Sequence, residues 1–140
     1  MPLEFKFYPV HERLYISPAI HEWQPCHDQG IDTVFDMDAG LDHCIPTDPG
    51  RCLYIYFPIY DEELPNLDRL NALGDLGASL LKAGHTVLSH CGMGFNRSAL
   101  VAGVIMNKLG EKGPDIVKRM RERRPGALFN QVFADYLARL

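Results

Sequence analysis

Thr86-Val87-Leu88-Ser89-His90-Cys91-Gly92-Met93-Gly94-Phe95-Asn96-Arg97-Ser98 decides the reading of this chain. The first five residues are short and largely apolar, and read as a strand. Residues 98–109 are rich in Ala, Val, Leu, Ile and Met and read as a buried helix. Between strand and helix lies a loop over 91–96, with a cysteine at its start, glycines at 92 and 94, and an arginine at its exit. A loop that curls at a helix N-terminus can turn its amides inward, so those from Gly92 to Arg97 form a candidate anion nest. Gly92 and Gly94 allow the close approach and backbone angles that such a nest requires.

The side chains around the nest fit one chemistry. Inward amides and the helix dipole stabilise a negative sulfur, which makes Cys91 a candidate nucleophile. Arg97 offers a planar fork that can grip two oxygens of a phosphate and stabilise charge in the transition state. The Ser98 hydroxyl can hydrogen-bond the sulfur. His90 is expected to brace the loop through backbone hydrogen bonds. Gly92, Met93, Gly94, Phe95 and Asn96, with Arg97, are the expected phosphate-binding residues. The bland alternative is a buried cysteine on a strand and an arginine in a surface ion pair. His-Cys-x-x-Gly-x-x-Arg-Ser/Thr arises by chance at about one position in ten million, and it sits here between a strand and a helix, which favours the chemical reading.

Outward from this centre, strand and helix patterns alternate. Residues 6–10 and 13–17 read as strands around a turn at His11-Glu12. Residues 18–29 read as a short helix interrupted by Pro25. Strands are expected over 31–37 and 53–59, with a Gly-, Pro- and Asp-rich loop at 39–51 between them. Asn66 is placed to cap a helix over 67–82, with Leu67, Leu70, Leu73, Leu76, Leu80 and Leu81 on its apolar face and Gly84 as its stop. A further helix opens at Gly113-Pro114 and runs to about Arg123, and a last one covers 130–140. The pattern predicts an α/β fold, one central mainly parallel sheet flanked by helices, with residues 1–140 as a single domain.

The loop motif resembles that of the cysteine-based protein tyrosine phosphatases, and the layout from about Tyr15 to Leu140 looks like a compact, atypical dual-specificity phosphatase. The resemblance implies a two-step reaction. The Cys91 thiolate attacks phosphorus, a carboxylic acid protonates the leaving oxygen, and water then cleaves the phosphocysteine, with Ser98 helping the sulfur to leave. It implies neither a metal nor any other cofactor.

A leaving alkoxide or phenoxide needs a proton donor within reach of the loop. Asp61, in Phe57-Pro58-Ile59-Tyr60-Asp61, follows the 53–59 strand and lies 30 residues before Cys91. If the strands before Asp61 and Cys91 are parallel neighbours, both residues emerge at the same sheet edge. Small dual-specificity phosphatases carry their acid at a similar place. Glu62, Glu63 and Asp68 are alternative acids. Arg123 or Arg124 is a candidate source of positive potential near the pocket. The Arg-Arg-Pro turn followed by Asn130 resembles the family stretch that buttresses the catalytic loop, and Gln131 is a candidate for positioning the hydrolytic water.

Composition narrows the partners. Hydrophobic residues make up 46% and charged residues 23% of the 140, and the net charge is −4, which gives no general attraction to nucleic acid or anionic membrane. No apolar run approaches a membrane span, and Met1-Pro2-Leu3-Glu4-Phe5-Lys6 lacks the form of a signal peptide. Four cysteines without a CxxC spacing point to a reducing, cytoplasmic location. His21, Cys26, His27, His43, Cys44 and Cys52 have spacings that match no common zinc site. Cys44 and Cys52 are candidate disulfide partners for an oxidised Cys91.

The substrate expected is a phosphorylated protein or a small phosphoester, phosphotyrosine first and phosphoserine or phosphothreonine next, handled by a monomer without a membrane. The loop has no lysine, unlike relatives that cleave inositol lipids. Gly94-Phe95-Asn96-Arg97 resembles the loop of metazoan-type capping enzymes, so an RNA 5′-triphosphatase is the alternative, and the one under which nucleic acid would be a partner. A phosphate-binding module without turnover is a third reading, and an intact Cys91, Arg97, Ser98 and Asp61 counts against it.

Overall fold

The computed structural model describes residues 6–140; the stretch Met1–Phe5, read above for a signal peptide, lies outside the described residues. Along the chain come β1 (Tyr8–His11), β2 (Leu14–Ser17), α1 (Gln24–Asp28), β3 (Thr33–Asp36), β4 (Leu53–Tyr56), α2 (Leu67–Lys82), β5 (Val87–His90), α3 (Arg97–Lys108), α4 (Gly113–Arg123) and α5 (Gln131–Ala138). The strands form one sheet in the order β1-β2-β5-β3-β4. Only β1 runs antiparallel to its neighbour; β2, β5, β3 and β4 are mutually parallel. The expected α/β architecture, a mainly parallel sheet flanked by helices, is the one observed.

β3 and β5 are buried at all four of their positions, as central parallel strands covered on both faces must be. Alternate residues divide between two cores. Val87 and Phe35 enter the large core with α2 to α5, whereas Val34 and Leu88 join Ile20, Cys26 and Ile31 in a smaller cluster around α1. Burial pushes the Cys26 thiol up to about 12, with the neighbouring Cys52 adding to the shift.

α2 matches its expected span, and the Asn66 side chain accepts from the Arg69 amide at its start. Its buried face differs from the leucine stripe. Leu67 and Leu76 are exposed, while Gly74, Gly77 and Ala78 are buried with Leu70 and Leu81. The reason is close packing on α3. A Cβ at Gly74 would stand 2.5 Å from Val104 Cγ1, and one at Gly77 would stand 2.5 Å from Ile105 Cδ1. Small residues let these two helices approach, and α3 is thereby buried at every position from Ser98 to Met106.

Two other local expectations shift. The helix expected over 18–29 is confined to Gln24–Asp28, because Pro25 suits its first turn and starts it rather than interrupting it. The 53–59 strand ends at Tyr56, since Pro58 has no N–H to give a ladder. The chain nevertheless stays on the sheet: the Phe57 amide donates to Asp36 O at 2.8 Å and that of Ile59 to Met37 O at 3.3 Å.

Strand register sets the position of the site. Ser17 and Asp36 both pair with His90, and Asp36 also pairs with Tyr56, so these C-terminal strand ends lie level along one edge. Crevices outside the carboxyl ends of parallel strands are where open α/β sheets hold ligands. The strands before Asp61 and Cys91 are parallel, but they are not neighbours: β3 lies between β4 and β5. Among the described residues no helix is long and apolar enough to cross a membrane.

Candidate active site

Cys91 leaves β5 at this edge, with its amide donating to Ser17 O at 3.4 Å, and it is 2% exposed. The chain then turns tightly before α3 begins at Arg97. Gly94 makes the turn possible: its φ is +75°, and a Cβ there would meet Pro18 N at 2.7 Å and Ser17 C at 2.8 Å. The Gly94 amide donates to Cys91 Sγ at 3.3 Å, and Ser98 Oγ lies 3.4 Å from the same sulfur. The Ser89 hydroxyl donates to Ser98 O at 2.9 Å and ties the strand to the first turn of the helix.

Among the described residues, the amides of Gly92, Met93, Phe95, Asn96 and Arg97 donate to no protein acceptor. Arg97 Nε is buried and likewise has no partner. The other arm of this guanidinium is held: Nη1 donates to Asp38 Oδ1 at 3.3 Å and to Met37 O and Ile59 O at 3.5 Å each. A fork pinned through one nitrogen keeps its remaining donors for an anion. Free amides, a helix N-terminus and a free Nε are donors that can cradle a tetrahedral oxyanion beside the Cys91 sulfur.

Asp61 is exposed, yet its carboxylate is fastened at both oxygens. Asn96 Nδ2 donates to Oδ2 and Asn130 Nδ2 to Oδ1, each at 2.9 Å. Asp61 and the 91–98 loop are therefore brought together. Of the other acids, Glu62 contributes its backbone carbonyl to Asn130 Nδ2 at 3.2 Å, and Glu62 and Glu63 line a separate hollow with Arg69; Asp68 lies in the first turn of α2. A groove of about 450 Å³ is lined by Ala39, Gly40, Tyr56, Pro58, Ile59, Tyr60, Asp61 and Arg97, so it holds two of the candidate residues. Parts of the 39–51 and 60–66 loops wall it.

The turn after α4 supports the loop from behind. Arg124 stacks over Phe95, with 3.9 Å to the ring centroid, and over Tyr8 at 4.3 Å. Its Nε donates to Gly94 O at 3.3 Å and its Nη2 to Met93 O at 3.2 Å. The Leu128 amide donates to Phe95 O at 2.9 Å, from a left-handed conformation with φ of 59°. The Asn130 amide donates to Asn96 Oδ1 at 2.9 Å, and the Asn130 side chain also caps α5 by accepting from Val132 and Phe133. Arg124, not Arg123, is thus the arginine at the loop; Arg123 is exposed and borders a hollow with Pro9, Val10, His11, Glu12 and Arg119. Gln131 does not face the site, because its amide donates to Asp135 Oδ1 at 2.7 Å.

His90 departs from expectation. Its Nε2 contacts Asp42 Oδ2 at 2.7 Å and Asp36 Oδ1 at 3.6 Å, and its Nδ1 is buried without a partner. It does not brace the loop through backbone bonds, because two acids under the sheet edge claim its outer nitrogen. The Tyr54 hydroxyl donates to Asp36 and accepts from the Asp42 amide. Burial pushes the Asp36 carboxyl up, and burial together with Asp36 pushes the Tyr54 hydroxyl up. Among the described residues, Asp36, Asp42 and His90 are the group whose ligand-type atoms lie within 4.8 Å of one another; the scattered histidines and cysteines weighed for zinc do not assemble. All four cysteines are free.

Sequence reasoning did not find Asp38, Asp42, Tyr54 or Arg124 as distinct from Arg123. Asp38 stands two residues beyond a core aspartate on the same sheet edge, which was the available signal.

No family model and no curated protein matches this chain. Solved structures do. The chain is similar to DUSP15, with a TM-score of 0.80 and 18% identity over 94% of this chain and 85% of that one. It is similar to human DUSP28, with a TM-score of 0.78 and 20% identity over 97% and 93% of the two chains. Tk-PTP in its active form matches with a TM-score of 0.75 and 21% identity over 94% and 92%. At these identities the likeness establishes the fold: this chain has the fold of the compact dual-specificity phosphatases.

Proposed function

We propose that this protein is a cysteine-dependent phosphatase that hydrolyses phosphate monoesters, protein phosphotyrosine first and phosphoserine or phosphothreonine second. The observation that carries the reading is the loop itself, in which a buried sulfur shares one turn with five amides and one Arg97 nitrogen without protein acceptors.

In the first step the Cys91 sulfur attacks phosphorus. An S–P bond forms as the P–O bond to the leaving group breaks, and protonated Asp61 gives its proton to that oxygen. Loop amides and Arg97 take up the charge on the equatorial oxygens. In the second step water attacks phosphorus, Asp61 accepts a proton from it, and the S–P bond breaks. The Ser98 hydroxyl hydrogen-bonds the departing thiolate. Inorganic phosphate leaves and the enzyme returns to its starting state.

The walls of the groove support an aryl ester. Tyr60, 84% exposed, lines it together with Tyr56, Pro58 and Ile59, so an aromatic substrate ring has apolar faces to lie against. Charge around the mouth supports a monoester over a triphosphorylated RNA. Asp61 lines it beside Arg97 and Asp38 pairs with that arginine, while Arg124 spends its donors on loop carbonyls and the Tyr8 hydroxyl. A cytoplasmic, monomeric enzyme without a cofactor is part of the same proposal.

The test is phosphate release from a phosphotyrosine peptide, a phosphothreonine peptide and triphosphorylated RNA, with Cys91→Ser as the blank. Fastest release from the phosphotyrosine peptide, abolished in the blank, is expected. Full activity in Cys91→Ser would remove the mechanism, and preference for the RNA would replace the substrate class.

A further inference from the structure

We propose that Asn96 is a positioning residue for proton transfer, clipping the Asp61 carboxylate to the anion-binding loop. This rests on the reading of Cys91 as nucleophile and Asp61 as acid.

Asn96 occupies the N-cap position of α3, where asparagine normally accepts a hydrogen bond from the amides of the first turn. Here its side chain makes no such bond. It is 2% exposed and committed to two distant elements. Its Oδ1 accepts the Asn130 backbone N–H at 2.9 Å. Only the oxygen of the amide can accept that hydrogen, so the orientation of the group is set and Nδ2 must face Asp61. Nδ2 then donates to Asp61 Oδ2 at 2.9 Å, while Asn130 Nδ2 takes Oδ1. A favourable local cap, of about 1 kcal/mol, is forgone for a contact that spans 35 residues of sequence.

The clip gives Asp61 two properties that an exposed carboxyl lacks. It ties the position of the acid to the residue directly before Arg97, so acid and anion seat move as one body. It also presents two neutral N–H donors to the carboxylate formed when Asp61 gives up its proton. That interaction strengthens as the proton leaves and favours transfer to the departing oxygen. An amide suits this role because it cannot itself titrate. An aspartate at the same place would set one carboxylate against another.

The experiment measures kcat/KM for full-length protein over a series of aryl phosphates of rising leaving-group pKa, for wild type, Asp61→Asn, Asn96→Ala and Asn96→Asp. Asn96→Ala is expected to lose about tenfold or more on an unactivated phenyl ester and clearly less on a nitrophenyl ester, steepening the dependence on leaving-group pKa. In the Asp61→Asn background the Asn96 change should add nothing to that slope. Asn96→Asp keeps the acceptor for Asn130 and is expected to move the pH profile of kcat/KM upward, since two facing carboxylates hold a proton between them. Equal losses across all leaving groups, or an unshifted Asn96→Asp profile, would overturn the proposal and leave Asn96 a loop brace. The parent reading fails differently, by wild-type inactivity on every ester or by persistence of activity in Cys91→Ser.

Discussion

Ser98 Oγ stands 3.4 Å from Cys91 Sγ, on the first turn of the helix whose N-terminus faces the same sulfur. With the sulfur as thiolate, the hydroxyl is the donor. A hydrogen bond to a charged group contributes about 1.5–3 kcal/mol, so Ser98→Ala should slow breakdown of the phosphocysteine by about 10–100-fold. Formation of that intermediate should change far less. Rapid-mixing kinetics with a nitrophenyl ester would then show a burst followed by slow turnover. Equal slowing of both phases would count against this division of labour.

Asp61 has the opposite signature. Asp61→Asn keeps the shape of the side chain and removes the transferable proton. Turnover of a phenyl or alkyl phosphate is expected to fall by about 10²–10⁴-fold, whereas an ester with an acidic phenol as leaving group needs little protonation and should be spared. Equal activity of the variant on both ester types would remove Asp61 from the role.

Gly94→Ala tests the turn. The left-handed conformation costs an alanine about 1–2 kcal/mol, and the added Cβ would meet main-chain atoms of Ser17 and Pro18 at 2.7–2.8 Å, which cannot yield like a flexible side chain. Thermal melting should fall by roughly 5–10 °C, with oxyanion affinity falling in parallel. An unchanged melting temperature would show that the loop accommodates the methyl group by moving.

Arg124→Ala removes two donors to loop carbonyls and a cation stacked between Tyr8 and Phe95. About 1–3 kcal/mol of stability should go with it, together with weaker vanadate binding. Arg124→Lys should recover little of either, because an ammonium cannot stack and reach two carbonyls at once. Full recovery with lysine would mean that charge alone matters at this position.

The Asp36 carboxyl is buried and shifted upward from its usual value of 3.8, chiefly by burial. An acid raised in the folded state contributes stability that is present below the unfolded value and lost as pH rises through the folded one. Asp36→Asn abolishes that titration. Melting curves taken from pH 4 to pH 7 should therefore show the variant gaining on wild type as pH rises, by up to about 1.4 kcal/mol for each pH unit inside the window. Parallel curves would show that Asp36 does not titrate there.

What the sequence revealed was what neighbouring residues determine. The strand, loop and helix around Cys91 follow from local pattern, as do the span of α2 and its Asn66 cap. Sheet order is a different matter. Nothing in the 53–59 or 86–90 patterns says that β3 inserts between them, because periodicity records burial and not neighbours. Leu67 and Leu76 lie on the helical stripe, yet the intimate side of α2 is the glycine side, where α3 comes closest. His90 was expected to serve the loop, but its partner Asp42 sits in a segment with no repeating pattern at all. Arg123 and Arg124 differ by one position at a helix end, and it is Arg124, the cap residue that leaves helical geometry, that faces Phe95.

The anchoring of Asp61 by Asn96 and Asn130 bears on how such a molecule comes into being on the ribosome. Its three members are synthesised 35 and 34 residues apart, so Asp61 emerges first, the loop of Cys91 second, and the residue that locks both third. A growing chain holding Cys91 but not yet Asn130 carries a thiol without its finished setting. Under the proposed reaction, ester turnover is therefore expected only once synthesis has passed Asn130 and the lock on Asp61 has closed.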